Sequence, residues 1–273
     1  MREQAADSRG SASLAAGRAL ALTLLALSAT VPLALLTVWS VSREWFYPAL
    51  WPPQLTGESW RNVLAGGGMG ASVARSAAIA ALTGALGCAA ALPVGRALAA
   101  LTGWRRHLGA ALVFLPVAAP PIALGTGLQY AFLRAGLGGT VAGVVLAHLV
   151  PTLGYLALYF LGVFTVFDAR VEEEARSLGA TPWQVLRRVT LPMLRRALGE
   201  AFALGFLVSW SQVALTLLIG GGQVRTLPLE LFGYLRSGQE RYAATGALLL
   251  TLPPLLALAA ARFAARRTEV VAL

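Results

Sequence analysis

Residues Asp168–Arg196 read DARVEEEARSLGATPWQVLRRVTLPMLRR and form the longest strongly charged run in an otherwise oily chain. The run carries four acids (Asp168, Glu172, Glu173, Glu174) and six arginines. It separates two apolar segments that are each long enough to cross a bilayer. Within it, Glu172–Leu178 has no Gly, Pro or β-branched residue and can form a turn or two of helix. Gly179 then supplies the flexible stop common at helix C-termini. Thr181 as N-cap, Pro182 at the first helical position and Gln184 at the capping-box position restart a second helix. Val185, Leu186 and Val189 give that piece an apolar face beside Arg187 and Arg188, and Leu191-Pro192 ends or kinks it. The expected unit is two short helices joined by a bend.

Outward from this run, the composition belongs to lipid rather than water. Of the 273 residues 57% are hydrophobic and 12% charged, against about 25% charged in an ordinary soluble domain, and the mean hydropathy is +0.69. Apolar runs of this length must satisfy their backbone internally, which makes them helices and the fold all-α and polytopic. The net charge is +10, carried wholly by arginine, because the chain has no lysine. In a soluble protein that balance would suggest nucleic acid. Here most of the arginines lie in short loops between spans, where the positive-inside rule accounts for them, and no nucleic-acid partner is expected. Without lysine the chain cannot hold a P-loop, so ATP-driven work would need an ATPase on another chain. Cys88 has no intrachain partner and reads as a small buried apolar residue.

In order, residues 1–17 read as a short cytoplasmic tail, and the first span covers about Ala19–Val41, its core longer than that of a typical cleaved signal. Residues 42–70 hold Trp45, Phe46, Tyr47, Trp51 and Trp60, as expected of an extracytoplasmic loop along the interface. Spans two and three are about Ala71–Leu101 and Leu108–Leu133. The third carries Pro116, Pro120 and Pro121, so it is kinked or interrupted. Span four, about Thr140–Phe167, contains His148, for which a hydrogen bond to a neighbouring helix is expected. Span five, about Ala197–Ile219, is polar in its middle at Ser209, Ser211, Gln212 and Thr216, and span six is about Tyr242–Phe263. With both termini cytoplasmic, 15 of the 22 arginines fall on the inner side and 7 on the outer, which favours this orientation. With no internal repeat and no low-complexity linker, residues 1–273 are expected to form a single transmembrane domain.

The central run resembles the EAA loop of binding-protein-dependent ABC transporter permeases, whose pattern is Glu-Ala-Ala, three residues, Gly, nine residues, an aliphatic residue, one more, then Leu-Pro. Glu173-Glu174-Ala175, Gly179 and Val189-Thr190-Leu191-Pro192 keep that spacing, with Glu174 in place of the first Ala. Ala71–Leu101, the Pro-rich third span, and SWSQVALTLLIGGG (Ser209–Gly222) followed by RTLPLELF (Arg225–Phe232) look like the same family, over about residues 20–260. The resemblance implies a permease subunit of an inner-membrane importer whose loop 168–196 is a cytoplasmic coupling helix docked on an ABC ATPase. It places the docking surface on Glu173, Glu174, Ala175, Gly179, Thr181, Pro182, Trp183, Val185, Leu186, Leu191 and Pro192. It further implies two copies of the ATPase, a second permease chain (the same or a different one), an extracytoplasmic solute-binding protein and surrounding lipid. Members for polyamines, ferric iron, thiamine, sulfate, molybdate or phosphonates are the most similar, too wide a range to name a solute.

For the solute pathway the polar residues inside spans are candidates: Ser209, Ser211 and Gln212, with Gln129 and Tyr130 behind them. The plain alternative is helix-to-helix hydrogen bonding. Two rival classes fit less well. An intramembrane enzyme needs a catalytic constellation, yet the spans hold no acid except Glu200 and the histidines are His107 and His148 alone. A secondary transporter ordinarily shows intramembrane acids or a repeated half. No catalytic residue, metal site or cofactor is expected.

Overall fold

In lipid a long apolar run satisfies its backbone only as a helix, and every long element of this chain is helical. The structure, a computed structural model, describes residues 2–45, 48–65 and 68–271, with side chains over 17–260 apart from Ala29. Phe46 and Tyr47 of the aromatic stretch, and the side chains of Arg2, Arg9, Arg262, Arg266 and Arg267, lie outside the described residues. Helix α1 spans Arg2–Ser40, and its part long and apolar enough to cross a membrane is Gly17–Ser40, so the expected tail is helical and continuous with the first span. Its Ala-rich stretch has no proline before Pro32 to stop the helix. Beyond it the outer segment forms a two-stranded hairpin, β1 (Ser42–Arg43) and β2 (Gln54–Leu55), then helix α2 (Glu58–Leu64). Trp51 and Leu55 are exposed there, while Trp60 bonds back to Ser40.

Three long helices follow from the sequence pattern: α3 (Gly68–Ala100), α6 (Val141–Thr165) and α13 (Glu240–Val271). The other two spans are broken. Helices α4 (Gly103–Ala118) and α5 (Pro121–Arg134) meet at 92°. The break lies where Pro120, followed by a second proline, is held extended at φ −55°, ψ 130° and Pro121 restarts the helix. The fifth span is a correction to the single helix expected over Ala197–Ile219. It is α10 (Arg195–Trp210) and α11 (Ala214–Gly220), bent by 63° across Ser211–Val213. Ser211 turns its hydroxyl back on the Leu207 carbonyl at 3.1 Å, a local bond that weakens helix continuation. Among the described residues four helices are long and apolar enough to cross a membrane, or six spans when each bent pair counts as one.

Contacts fix the helix directions. Ile79 of α3 clusters with Val144 and Val145 of α6, Gly87 faces Thr152 and Leu156, and Gly95 faces Ala157, Phe160 and Leu161. Numbers rise together, so α3 and α6 are parallel, and α4–α5 must carry the chain back across between them. Against α10 the order reverses: Ala80 clusters with Trp210, and Ala91 with Ala201. The α3–α6–α10 seam is lined with small residues. Gly205 lies against the Gly84 Cα, and Gly84 against Phe202 and Phe206, as close helix approach in lipid requires. Ser59 of α2 donates to the Ser40 carbonyl at 2.8 Å and receives the Thr245 hydroxyl at 2.9 Å. The C-terminal end of α1 therefore meets the N-terminal end of α13, and both helices run from there to the face that carries residues 168–196. Exposed leucines on α1 (Leu20, Leu24, Leu25, Leu27) suit a lipid-facing surface.

Candidate functional site: the central loop and the broken spans

The loop begins with α7 (Arg170–Ser177), where the Arg170 amide donates to Asp168 Oδ1 at 3.0 Å and Glu172 and Glu173 occupy the first turn, favourable to the helix dipole. Gly179 ends it at φ +86°, the left-handed conformation that glycine adopts without strain. Its amide closes on the Arg176 carbonyl at 2.9 Å. Thr181 then forms the expected capping box: its amide donates to Gln184 Oε1 at 2.8 Å, and the Gln184 amide to Thr181 Oγ1 at 3.4 Å. Helix α8 (Pro182–Val185) runs into a π turn (Leu186–Thr190) and α9 (Leu191–Met193). The bend between two short helices is thus built by the residues that the sequence singled out.

The three consecutive glutamates divide. Glu173 and Glu174 are exposed and, with Arg170, Ser177 and Leu178, line an open depression of about 700 Å³. Glu172 points the other way and is only 1% exposed. It accepts from Arg96 Nη1 at 3.0 Å, from Arg96 Nη2, from Arg176 Nη2 at 3.2 Å and from the Thr190 hydroxyl at 2.5 Å. The Arg96 guanidinium holds the Glu172 carboxyl below the usual carboxylate range; burial opposes this, and Thr190 and Arg176 assist.

Among the other expected docking residues, Gly179, Thr181, Pro182 and Trp183 are exposed, Trp183 at 65%. Ala175, Leu186 and Leu191 are half-buried, and Pro192 is exposed. Val185, expected on the outward apolar face, is turned inward and 2% exposed. Leu178, 89% exposed, joins Trp183 as an uncovered large apolar side chain of the loop. Glu172, Arg96, Thr190 and Leu178 were missed. Glu172 and Arg176 do stand four apart on one helix, a legible pair, but nothing in the sequence links either to Arg96.

The polar span residues separate as well. Ser209 is buried and within 2.8 Å of His148 Nδ1, while His148 Nε2 lies 3.0 Å from Thr216 Oγ1. His148 thereby bridges α10 and α11 across their break, as the expectation of a helix-to-helix bond had it. Gln129 of α5 donates to the Leu218 carbonyl of α11 at 3.1 Å, and Gly125 packs on Leu215 and Leu218. The two broken spans therefore pack half against half. Ser211 is exposed at the second break, with Gln212 half-buried beside it. Tyr130 is 63% exposed, under the Arg134 guanidinium at 4.8 Å.

Comparison with known proteins adds a family. The model described as "Binding-protein-dependent transport system inner membrane component" matches residues 91–270. The molybdenum transport system permease protein ModB of Mycobacterium tuberculosis is 34% identical over 162 residues, covering 54% of this chain and 61% of that one. The putative 2-aminoethylphosphonate transport system permease protein PhnV of Salmonella typhimurium is 32% identical over 145 residues, covering 52% and 55%. The spermidine/putrescine transport system permease protein PotC of Haemophilus influenzae is 27% identical over 127 residues, covering 46% and 49%. The matched part spans about half to three-fifths of the length of these curated relatives. A solved chain from a bacterial ABC transporter involved in import of the acidic polysaccharide alginate shares the fold, with a TM-score of 0.67 at 16% identity over 90% of this chain and 94% of that one.

Proposed function

Because the chain belongs to the family of binding-protein-dependent transport system inner membrane components, we propose that it is a permease subunit of an ATP-driven importer and forms half of its solute pathway. It is a multi-pass protein of the plasma (inner) membrane. In this reading residues 1–273 act as one transmembrane domain with both termini in the cytoplasm. The arginine asymmetry supports putting the 168–196 loop there too. The observation that carries the reading is the outward face of that loop: Glu173 and Glu174 beside exposed Leu178 and Trp183, held at a fixed bend by Gly179 and the Thr181 cap. A carboxylate pair flanked by uncovered apolar side chains suits a partner groove with a basic rim.

The partner is an ABC ATPase, two copies per transporter, supplied as a separate chain because this one has no lysine for a P-loop. A second permease chain, the same or a different one, completes the pathway, and a solute-binding protein delivers from the opposite face. The subunit itself is not an enzyme. Nucleotide closing the ATPase pair would draw the docked loops together and favour one packing of the spans over another. Ser211 and Gln212 at the α10–α11 break, with Tyr130 on α5, are the polar groups in reach of a passing solute; Ser209 and Gln129 hold helices together beside them.

Co-purification of the tagged chain with its ATPase tests this. Glu173→Arg should weaken association about tenfold or more, equivalent to about 1.4 kcal/mol. Gly179→Pro should abolish it, since proline cannot reach φ +86° and lacks the amide that closes α7. Unchanged association and ATP-dependent uptake in both variants would overturn the docking assignment.

A further inference from the structure

The central loop is tied to the bundle at one buried carboxylate. Glu172 binds Arg96 of α3, Arg176 one turn further along α7 and Thr190 of the π turn. Phe164 of α6 lies under the Arg96 guanidinium at 5.5 Å. Two features set what this contact does. The π turn buries Thr190 against Glu172, and its hydroxyl also reaches the carbonyl of Val185, five residues back, at 3.4 Å. Arg96 follows Gly95, where α3 and α6 approach so closely that an added Cβ would strike Phe160 and lie 2.8 Å from the Leu161 nitrogen. Arg96 therefore stands on a part of α3 that cannot shift without α6, and α10 is locked to the same seam through Gly84 and Gly205.

Simple charge balance does not explain the arrangement. Two guanidiniums face one carboxylate, and both are about half exposed, at 42% and 50%, so water could serve them without Glu172. It is the carboxylate that is enclosed, at 1%. Burying a charge is costly unless its lone pairs are used, and here three partners on three elements hold the carboxylate in one geometry.

We propose that Glu172 and Arg96 form a strut through which the α7–α9 loop and the α3–α6–α10 seam move as one body. Glu172 is thus the positioning residue that passes displacement of the loop to the spans, a role separate from the outward Glu173 and Glu174. The ATP-dependent part of this inference rests on the permease reading; the mechanical part does not.

Spin labels at Val171→Cys and Thr102→Cys, both exposed positions on α7 and just beyond α3, read the strut directly in a Cys88→Ala background. The purified chain should give one narrow distance. Glu172→Gln, which keeps hydrogen-bonding atoms and volume, should broaden it, and Arg96→Gln should do the same from the other side. The double variant should be no broader than either single one, because one interaction is being removed twice. In the complex with its ATPase, adding Mg-ATP should leave the wild-type distance unchanged and shift it in Glu172→Gln, while the ATPase still co-purifies. A distance as narrow in Glu172→Gln as in wild type, additive broadening in the double variant, or a wild-type distance that moves with ATP would each overturn the strut. Failure of the wild type to bind any ATPase would overturn the permease reading instead, and the nucleotide-free arm would still decide the strut.

Discussion

At Glu172, position in a run of like residues concealed a difference in role. Glu172, Glu173 and Glu174 are indistinguishable by type. On a helix they point in three directions, about 100° apart, and only one can face the bundle. The sequence made the run a docking candidate but could not say which acid turned inward, because the deciding partner, Arg96, lies 76 residues away. The pH dependence follows from the depressed carboxyl. A group whose folded pKa lies below its unfolded one stabilises above the unfolded value, and that contribution is lost as pH falls through the folded value. Wild type should therefore melt above Glu172→Gln at neutral pH, and the gap should close as pH drops below about 4; a constant gap would remove the charge from the account. The packing roles of Gly95 and Gly162 are equally invisible in the sequence. Gly95→Ala places a Cβ against Phe160 and 2.9 Å from the Ala157 carbonyl, and overpacking of this kind costs about 1–3 kcal/mol. Gly162→Ala, on open α6 surface with nothing within 4 Å, should instead stabilise by about 0.5–1 kcal/mol. Paired melting curves in one detergent would compare the two signs.

Among the elements, short-range chemistry was legible and long-range chemistry was not. The Thr181-Pro182-x-Gln184 start of α8 and the Gly179 stop of α7 are local signals, and both are present as read. The Pro120-Pro121 break was legible for the same reason. The α10–α11 break was not, since Ser211 alone rarely interrupts a helix and the clamp that holds the bend comes from His148 on α6. Val185 followed the same logic: its place on an apolar stripe was clear, but not which neighbour would cover it. Magnitudes separate the roles of His148. Hydrogen bonds between helices in lipid average about 0.6 kcal/mol, so losing both should cost about 1 kcal/mol. Deleting a buried ring opens a cavity worth about 2–4 kcal/mol more. His148→Leu, which removes both hydrogen bonds and keeps most of the volume, should therefore be mild and His148→Ala severe in thermal unfolding. Equal losses would mean that the hydrogen bonds, not the packing, carry the bridge. At the loop, Thr181→Ala should cost about 1 kcal/mol of cap. ATPase association should fall with it, as α8 frays and Trp183 loses its fixed direction.

For the molecule as a whole, hydropathy gave six apolar stretches, but length and composition alone leave the span count between four and six. Helix direction resolves it. Because α3 and α6 run parallel, the bent α4–α5 pair has to return the chain from the loop face to the opposite face, whatever its 92° bend. Likewise α10 runs antiparallel to α3, and Arg75 and Ser76 near the start of α3 meet Arg225 and Leu227 beyond α11. Each bent pair therefore counts as one crossing among the described residues, and α1 and α13 reach from the opposite face toward the one that carries residues 168–196. In the proposed orientation, the arginine asymmetry places that face in the cytoplasm. Two independent lines thus meet, one from packing and one from charge, and they can be tested separately. Single cysteines at Thr102 and Thr181 should react with an impermeant maleimide only after the cytoplasmic side is opened. Those at Gln54 and Ser237 should react in intact cells, all in a Cys88→Ala background. If Thr102 and Thr181 labelled from opposite sides, the α4–α5 return would be wrong. If all four labels were simply inverted, the packing would stand, and the charge argument that places the docking loop beside an ATPase would fall.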